Sequence, residues 1–138
     1  MEHYRSINME KNEKVSVNMN IGTLSQIDLL VDKGFYSNRS DFINQAVREA
    51  LNSKQDRIND EKEKYNNMNF IWFLGLCSLD ARQLLEIKNR NSTKKITGYG
   101  VLYIDKNLDD LVFETINEIA VKGKVLCSDR VKQHYGIK

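Results

Sequence analysis

The chain has 138 residues, room for one ordinary domain or two small ones, and its 41% hydrophobic and 29% charged residues exclude a disordered polymer. The 21 basic and 19 acidic side chains leave a net charge of +2, which excludes a polybasic tail and means that any nucleic acid is held by a few placed groups. The longest apolar run (residues 70–77) is too short to span a bilayer and the first residues have no apolar core, while Cys77 and Cys127 form no framework pattern, so a cytoplasmic protein without membrane contact is expected.

Residues 1–13 are polar and read as a flexible arm, where phosphate contacts from Arg5 and Lys11 are opposed by Glu2, Glu10 and Glu13. The next stretch, EKVSVNMNI at 13–21, alternates strictly: Val15, Val17, Met19 and Ile21 are apolar, Lys14, Ser16, Asn18 and Asn20 polar. Such a strand has one face to bury and one that makes hydrogen bonds. In GTLSQIDLLVDKG, Leu24, Ile27, Leu30 and Val31 recur at helical spacing, Asn20 to Thr23 offer caps, and Gly34 is a stop signal. SNRSDFINQAVREALNS predicts a second helix with Ser37 as N-cap, Asp41 in the first turn, and a stripe of Phe42, Ile43, Ala46, Val47, Ala50 and Leu51.

One strand cannot satisfy its own backbone donors and acceptors, and about 40 residues bury too little surface to stand alone. Both problems vanish when two chains pair their strands antiparallel and intertwine their helices. An obligate homodimer with a two-stranded ribbon is the expectation. The segment GFYSNRSDFINQAVREAL also follows the pattern G-x-x-x-S-R-S-x-x-I-x-x-A-h-x-x-x-L, with Asn38 in place of the first Ser. On this evidence residues 14–52 resemble the ribbon-helix-helix DNA-binding family (the MetJ, Arc and CopG group).

A two-stranded ribbon fits the major groove, and Asn, Ser and Lys carry the donors and acceptors that base edges and phosphates answer. The resemblance implies that the outward strand residues Lys14, Ser16 and Asn18 read bases in double-stranded DNA. Asn20 lies at the turn into the first helix and suits capping better. The start of the second helix, with unpartnered amides and a positive dipole end, suits a phosphate. By resemblance that clamp maps onto Ser37, Asn38 and Arg39, with Arg39 alternatively paired to Asp41 or Glu49.

Residues 54–69 are polar with a dense charge run, either a helix extension or a linker. Residues 70–138 read as a small α/β or α+β domain of no recognised family. FIWFLGLC is a buried strand or the first turns of a buried helix, and SLDARQLLEIKNR a helix capped by Ser78. KITGYGVLYID reads as a strand, and NLDDLVFETINEIA as a helix capped by Asn107 with Leu108, Leu111, Val112, Ile116 and Ile119 apolar. KGKVLCS suits a short strand, and SDRVKQHYGI a final turn or two capped by Ser128. Overall the expected fold class is α+β, with an amino-terminal ribbon-helix-helix domain at 14–53.

No catalytic constellation is visible. GYGVLY lacks the third glycine of a phosphate loop and lies inside a strand, where glycines admit another backbone. Cys77, Cys127 and His134 match no zinc spacing, so neither metal nor cofactor is expected. These readings converge on a DNA-binding transcriptional regulator, a repressor by preference, whose residues 70–138 assemble dimers into higher oligomers or sense an effector. An antitoxin and a DNA-coating plasmid-maintenance protein are the alternatives.

Overall fold

A computed structural model describes residues 12–138, so Arg5 and Lys11 of the arm lie outside the described residues. In chain order come α1 (Ile21–Asp32), α2 (Arg39–Ser53), α3 (Gln55–Lys64), β1 (Phe70–Ser78), α4 (Ala81–Asn89), β2 (Lys94–Tyr103), a 3-10 turn (Lys106–Leu108), α5 (Asp109–Thr115), β3 (Ile116–Leu126) and α6 (Asp129–Tyr135). Residues 12–61 and 62–138 belong to two separate compact units. The segment between α2 and β1, which the sequence leaves open as helix or linker, is largely the helix α3, with no buried residue.

In the first unit Asn20 is the N-cap of α1, its side chain accepting from the Thr23 amide at 2.7 Å. The helix ends in a Schellman turn: Gly34 sits at φ +83°, its amide bonds Val31 O, and the Phe35 amide reaches back to Leu30 O. Only glycine takes that left-handed position without strain, so the stop signal works as read. Packing is sparse. Ile27 is the one buried hydrophobic residue of residues 12–61, while Val15, Val17, Ile21, Leu29 and Phe35 are each more than half exposed. Residues 12–20 form no strand within the chain, and the helix begins at Ile21, one residue inside the alternating stretch.

The second unit is a three-stranded sheet, all parallel, in the order β1-β2-β3. Parallel neighbours need a crossover, and helical segments supply it each time. Ile71, Phe73, Ile96, Leu102, Ile116 and Ile119 of the strands share one core with Leu84 and Ile87 of α4, Val112 of α5 and Val131 of α6. All three helices therefore cover the same face. The other face carries Trp72, Leu74, Leu76, Tyr99 and Val101, with Leu74 and Tyr99 about half exposed, and Lys122 and Lys124 on β3. Tyr65 stacks on Trp72 at 6.3 Å between ring centroids.

Three local readings are corrected. Asp80, not Ser78, caps α4, accepting from the Arg82 amide at 3.0 Å. Ser78 still belongs to β1, and the Leu79 amide continues the ladder to Tyr103 O, which carries Leu79 into the core. The helix expected over 107–120 stops at Thr115, and Ile116 opens β3, so Ile116 and Ile119 are core residues of a strand. Asn107 does not cap it; the Asn107 amide donates to Asp105 in the preceding turn. Ser128 does cap α6, accepting from the Val131 amide at 3.2 Å, and its hydroxyl donates to buried Asp109 at 2.6 Å. Tyr135 of α6 donates to the carbonyls of Val112 and Ile116, where α5 passes into β3.

The unit is also a repeat. Gly75, Gly100 and Gly123 are register partners across the three strands. Each is followed after the same interval by a capping residue: Asp80, Asp105 and Ser128. Strand, glycine, cap and helical segment thus recur about every 24 residues, stacked like the turns of a solenoid.

Candidate nucleic-acid interface

The polar residues Lys14, Ser16 and Asn18 are all exposed and lie in the segment before α1, which is neither helix nor strand. Their apolar neighbours are exposed as well, Val15 at 80% and Val17 at 71%. In an extended backbone these two sets point to opposite sides. Drawn out as a strand, the segment carries a row of Val15, Val17 and Met19 on one side and a row of Lys14, Ser16 and Asn18 on the other. The Asn20 side chain is engaged in capping α1, which separates it from the polar row.

Around the start of α2 the geometry differs from the sequence reading. Asn38 is the N-cap, with φ −167° and ψ 177°, and its side chain accepts from the Asp41 amide at 2.8 Å. Ser37 stands one residue outside the helix and contributes its backbone: its amide donates to Asp41 Oδ2 at 3.0 Å. Asp41 also accepts from Gln45 Nε2 at 3.0 Å. The Ser37 amide, followed by the Gln45 side chain, holds the Asp41 carboxyl below its ordinary pKa. A carboxylate thus already lies against the helix start and consumes the Ser37 amide. The Arg39 and Ser40 amides, first in the helix, have no intrahelical acceptor and face outward with the positive dipole end.

Arg39 pairs with neither Asp41 nor Glu49. Its Nε and Nη2 donate to the two carboxylate oxygens of Asp28 on α1, at 2.7 and 2.8 Å. This fork joins the two helices of the unit. Hydrogen bonding to Arg39 lowers the Asp28 pKa, and the same contact raises that of Arg39. The structure brings Ser37, Asn38 and Arg39 together at one helix start, and places Lys14, Ser16 and Asn18 on a separate segment.

The cap assignment has a direct test. Asn38→Ala is expected to lower unfolding stability by ~1 kcal/mol, the usual worth of a cap, whereas Ser37→Ala is expected to leave it within ~0.5 kcal/mol. Urea denaturation of both variants decides; equal losses would restore Ser37 as the cap.

Among the described residues no helix is long and apolar enough to cross a membrane, and no three His, Cys, Asp or Glu side chains stand together as a metal site. No curated protein and no solved structure matches the chain. A family model does: the one described as the ribbon-helix-helix transcriptional regulator family matches residues 10–132.

Proposed function

The chain belongs to the ribbon-helix-helix family of transcriptional regulators, and from that premise we propose that it is a sequence-specific repressor whose homodimer inserts a two-stranded antiparallel ribbon into the major groove. The observation that carries this reading is the incompleteness of the first unit. A single buried residue, Ile27, cannot hold 50 residues together, and the row of Val15, Val17 and Met19 is left without cover. Pairing the segment with its copy, antiparallel, covers that row, satisfies both backbones and turns Lys14, Ser16 and Asn18 outward. Residues 14–53 then form the DNA-binding domain.

Lys14, Ser16 and Asn18 are the base-reading residues in this proposal. Asn18 suits adenine, offering a donor and an acceptor together, and Lys14 suits guanine or a phosphate. The Arg39 and Ser40 amides, beside Asn38 and Ser37, receive a flanking phosphate at the helix start. The Arg39 guanidinium keeps Nη1 beyond its fork with Asp28. An antitoxin role is less well supported, because residues 62–138 hold a buried core of their own and toxin-binding segments commonly fold only on binding.

Selection of bound sequences from a random DNA pool tests the proposal, with wild type and Asn18→Ala in parallel. Wild type is expected to enrich a repeated short motif, and Asn18→Ala to relax one position of it at a cost of ~1–3 kcal/mol. Salt-sensitive binding without enrichment would replace sequence reading by non-specific coating.

A further inference from the structure

We propose that the second unit docks end to end on that of another copy of this chain, β3 of one chain adding in parallel, and in register, to β1 of the next. This goes beyond DNA recognition and does not depend on it. What a strand of this repeat accepts at its side is visible twice, at β1 against β2 and at β2 against β3: another strand of the same repeat, in the same direction, with glycine facing glycine.

Both outer strands leave an edge unpaired among the described residues. The Lys95 amide bonds Asn69 O and the Leu79 amide bonds Tyr103 O, which puts the odd-numbered residues of β1 on the β2 side. Trp72, Leu74 and Leu76 therefore turn their backbone groups to the free edge. The Ile104 amide bonds Leu126 O, so in β3 the even-numbered residues serve β2 and Val121, Gly123 and Val125 face outward.

The two edges are complementary to each other and not to themselves. Gly75, Gly100 and Gly123 all have positive φ, at +96°, +127° and +143°. This turns the position of a would-be Cβ toward the neighbouring strand. At Gly100 that position meets the carbonyl oxygen of Gly75, and at Gly123 that of Gly100, while at Gly75 nothing lies within 4 Å. The series leaves an open α-carbon at the β1 edge and an outward carbonyl at the β3 edge. One fits the other; two copies of either do not.

The charge pattern agrees. β1, FIWFLGLCS, has no charged residue over its length, although edge strands are usually blunted by charge; β3 carries Glu118, Lys122 and Lys124, the two lysines on the face away from the core. Alongside β3, a groove of about 630 Å³ lies between residues 119–126 and the chain end at Gly136, Ile137 and Lys138. A head-to-tail contact of this kind leaves the same two edges free at its ends, so the assembly is open-ended.

The register supplies the test. With Gly123 opposite Gly75 of the next copy, Val125 stands opposite the next copy's Cys77. Within one chain Val125 and Cys77 are two strands apart, roughly 9–10 Å, beyond the ~4.4–6.8 Å that a disulfide spans between α-carbons. Full-length chain carrying Val125→Cys and Cys127→Ser is oxidised and run without reductant. The expected result is a ladder of three, four and more linked chains that collapses on reduction. Leu126→Cys in the same background turns its thiol to the other face of the sheet and is expected to give no ladder. Linkage that is absent or stops at two chains, or an equal ladder from Leu126→Cys, would overturn the proposal. Wild-type sedimentation needs no variant: species heavier than a dimer are expected to grow with concentration, and a constant dimer mass would overturn it equally.

Discussion

Val17→Asp is expected to abolish the ribbon-paired dimer while leaving the second unit folded and able to dock end to end. In one chain Val17 is 71% exposed, and a substitution at such a position ordinarily changes stability by less than ~0.5 kcal/mol. In the paired ribbon it lies on the covered side, twice per dimer, and an unpaired carboxylate there costs at least ~4 kcal/mol, about a thousandfold in the dimer dissociation constant. The two readings of this residue thus differ by orders of magnitude in one measurement. Analytical ultracentrifugation of Val17→Asp beside Ser16→Asp separates them. Ser16→Asp, on the outward row, is expected to keep the dimer and lose DNA binding through repulsion by phosphate and a lost base contact. A Val17→Asp protein whose mass distribution equals that of Ser16→Asp at every concentration would remove the ribbon.

The second large effect is expected at Gly100. A methyl group there points into the carbonyl of Gly75, and φ +127° is a conformation that L residues avoid. Because the neighbouring atom is backbone held in the β1–β2 ladder, relief requires that two strands move apart. Gly100→Ala is expected to destabilise the second unit by more than ~3 kcal/mol, at the diagnostic end of single substitutions. Gly34→Ala is the matching control: φ is again positive, yet nothing lies within 4 Å of the added carbon, so only the left-handed penalty of ~1–2 kcal/mol applies. Trp72, the single tryptophan, reports unfolding of the second unit by its fluorescence, and helical circular dichroism, followed in the same titration, reports the first. A Gly100→Ala loss no larger than that of Gly34→Ala would mean that the strands yield easily.

The helices of the first unit were legible because the apolar residues recur at helical spacing and the stop at Gly34 is a local, one-residue requirement. The start of α2 was legible but its cap was not: Ser37 is the more inviting residue, and the cap is Asn38. The deciding sign is Asp41, three residues after Asn38: its amide donates to the Asn38 side chain while its carboxylate accepts from the Ser37 amide. The helix read through residue 120 shows how spacing misleads. Leu108, Leu111, Val112, Ile116 and Ile119 fit a helix, but Ile116 and Ile119 also begin a β-branched series continued by Val121 and Val125.

Aligning the three glycines would have resolved that ambiguity. With Gly123 set on Gly100, residues 117–126 fall on the strand 94–103 and Ser128 falls on the cap Asp105. The repeat escaped notice because only the glycine and the cap are alike in chemistry; between them the residues keep their apolar character but change identity. Pairing of the alternating segment 13–21 was not legible as geometry within one chain, because among the described residues it forms no strand. The place of Arg39 was hidden for a related reason. Asp28 is a neighbour only once α1 and α2 have folded back on each other.

That fork between Arg39 and Asp28 bears on discrimination between DNA sites. A guanidinium already closed on a carboxylate gains little from an anion that passes at arbitrary distance, since one partner must be surrendered before another is gained. An anion fixed at the helix start by the amides of Arg39 and Ser40 meets the same side chain at a set position, where Nη1 is at hand and Asp28 need not leave. In the proposed complex with DNA the ion pair would then be a threshold, keeping attraction to random duplex low and reserving the arginine for a backbone that arrives in register.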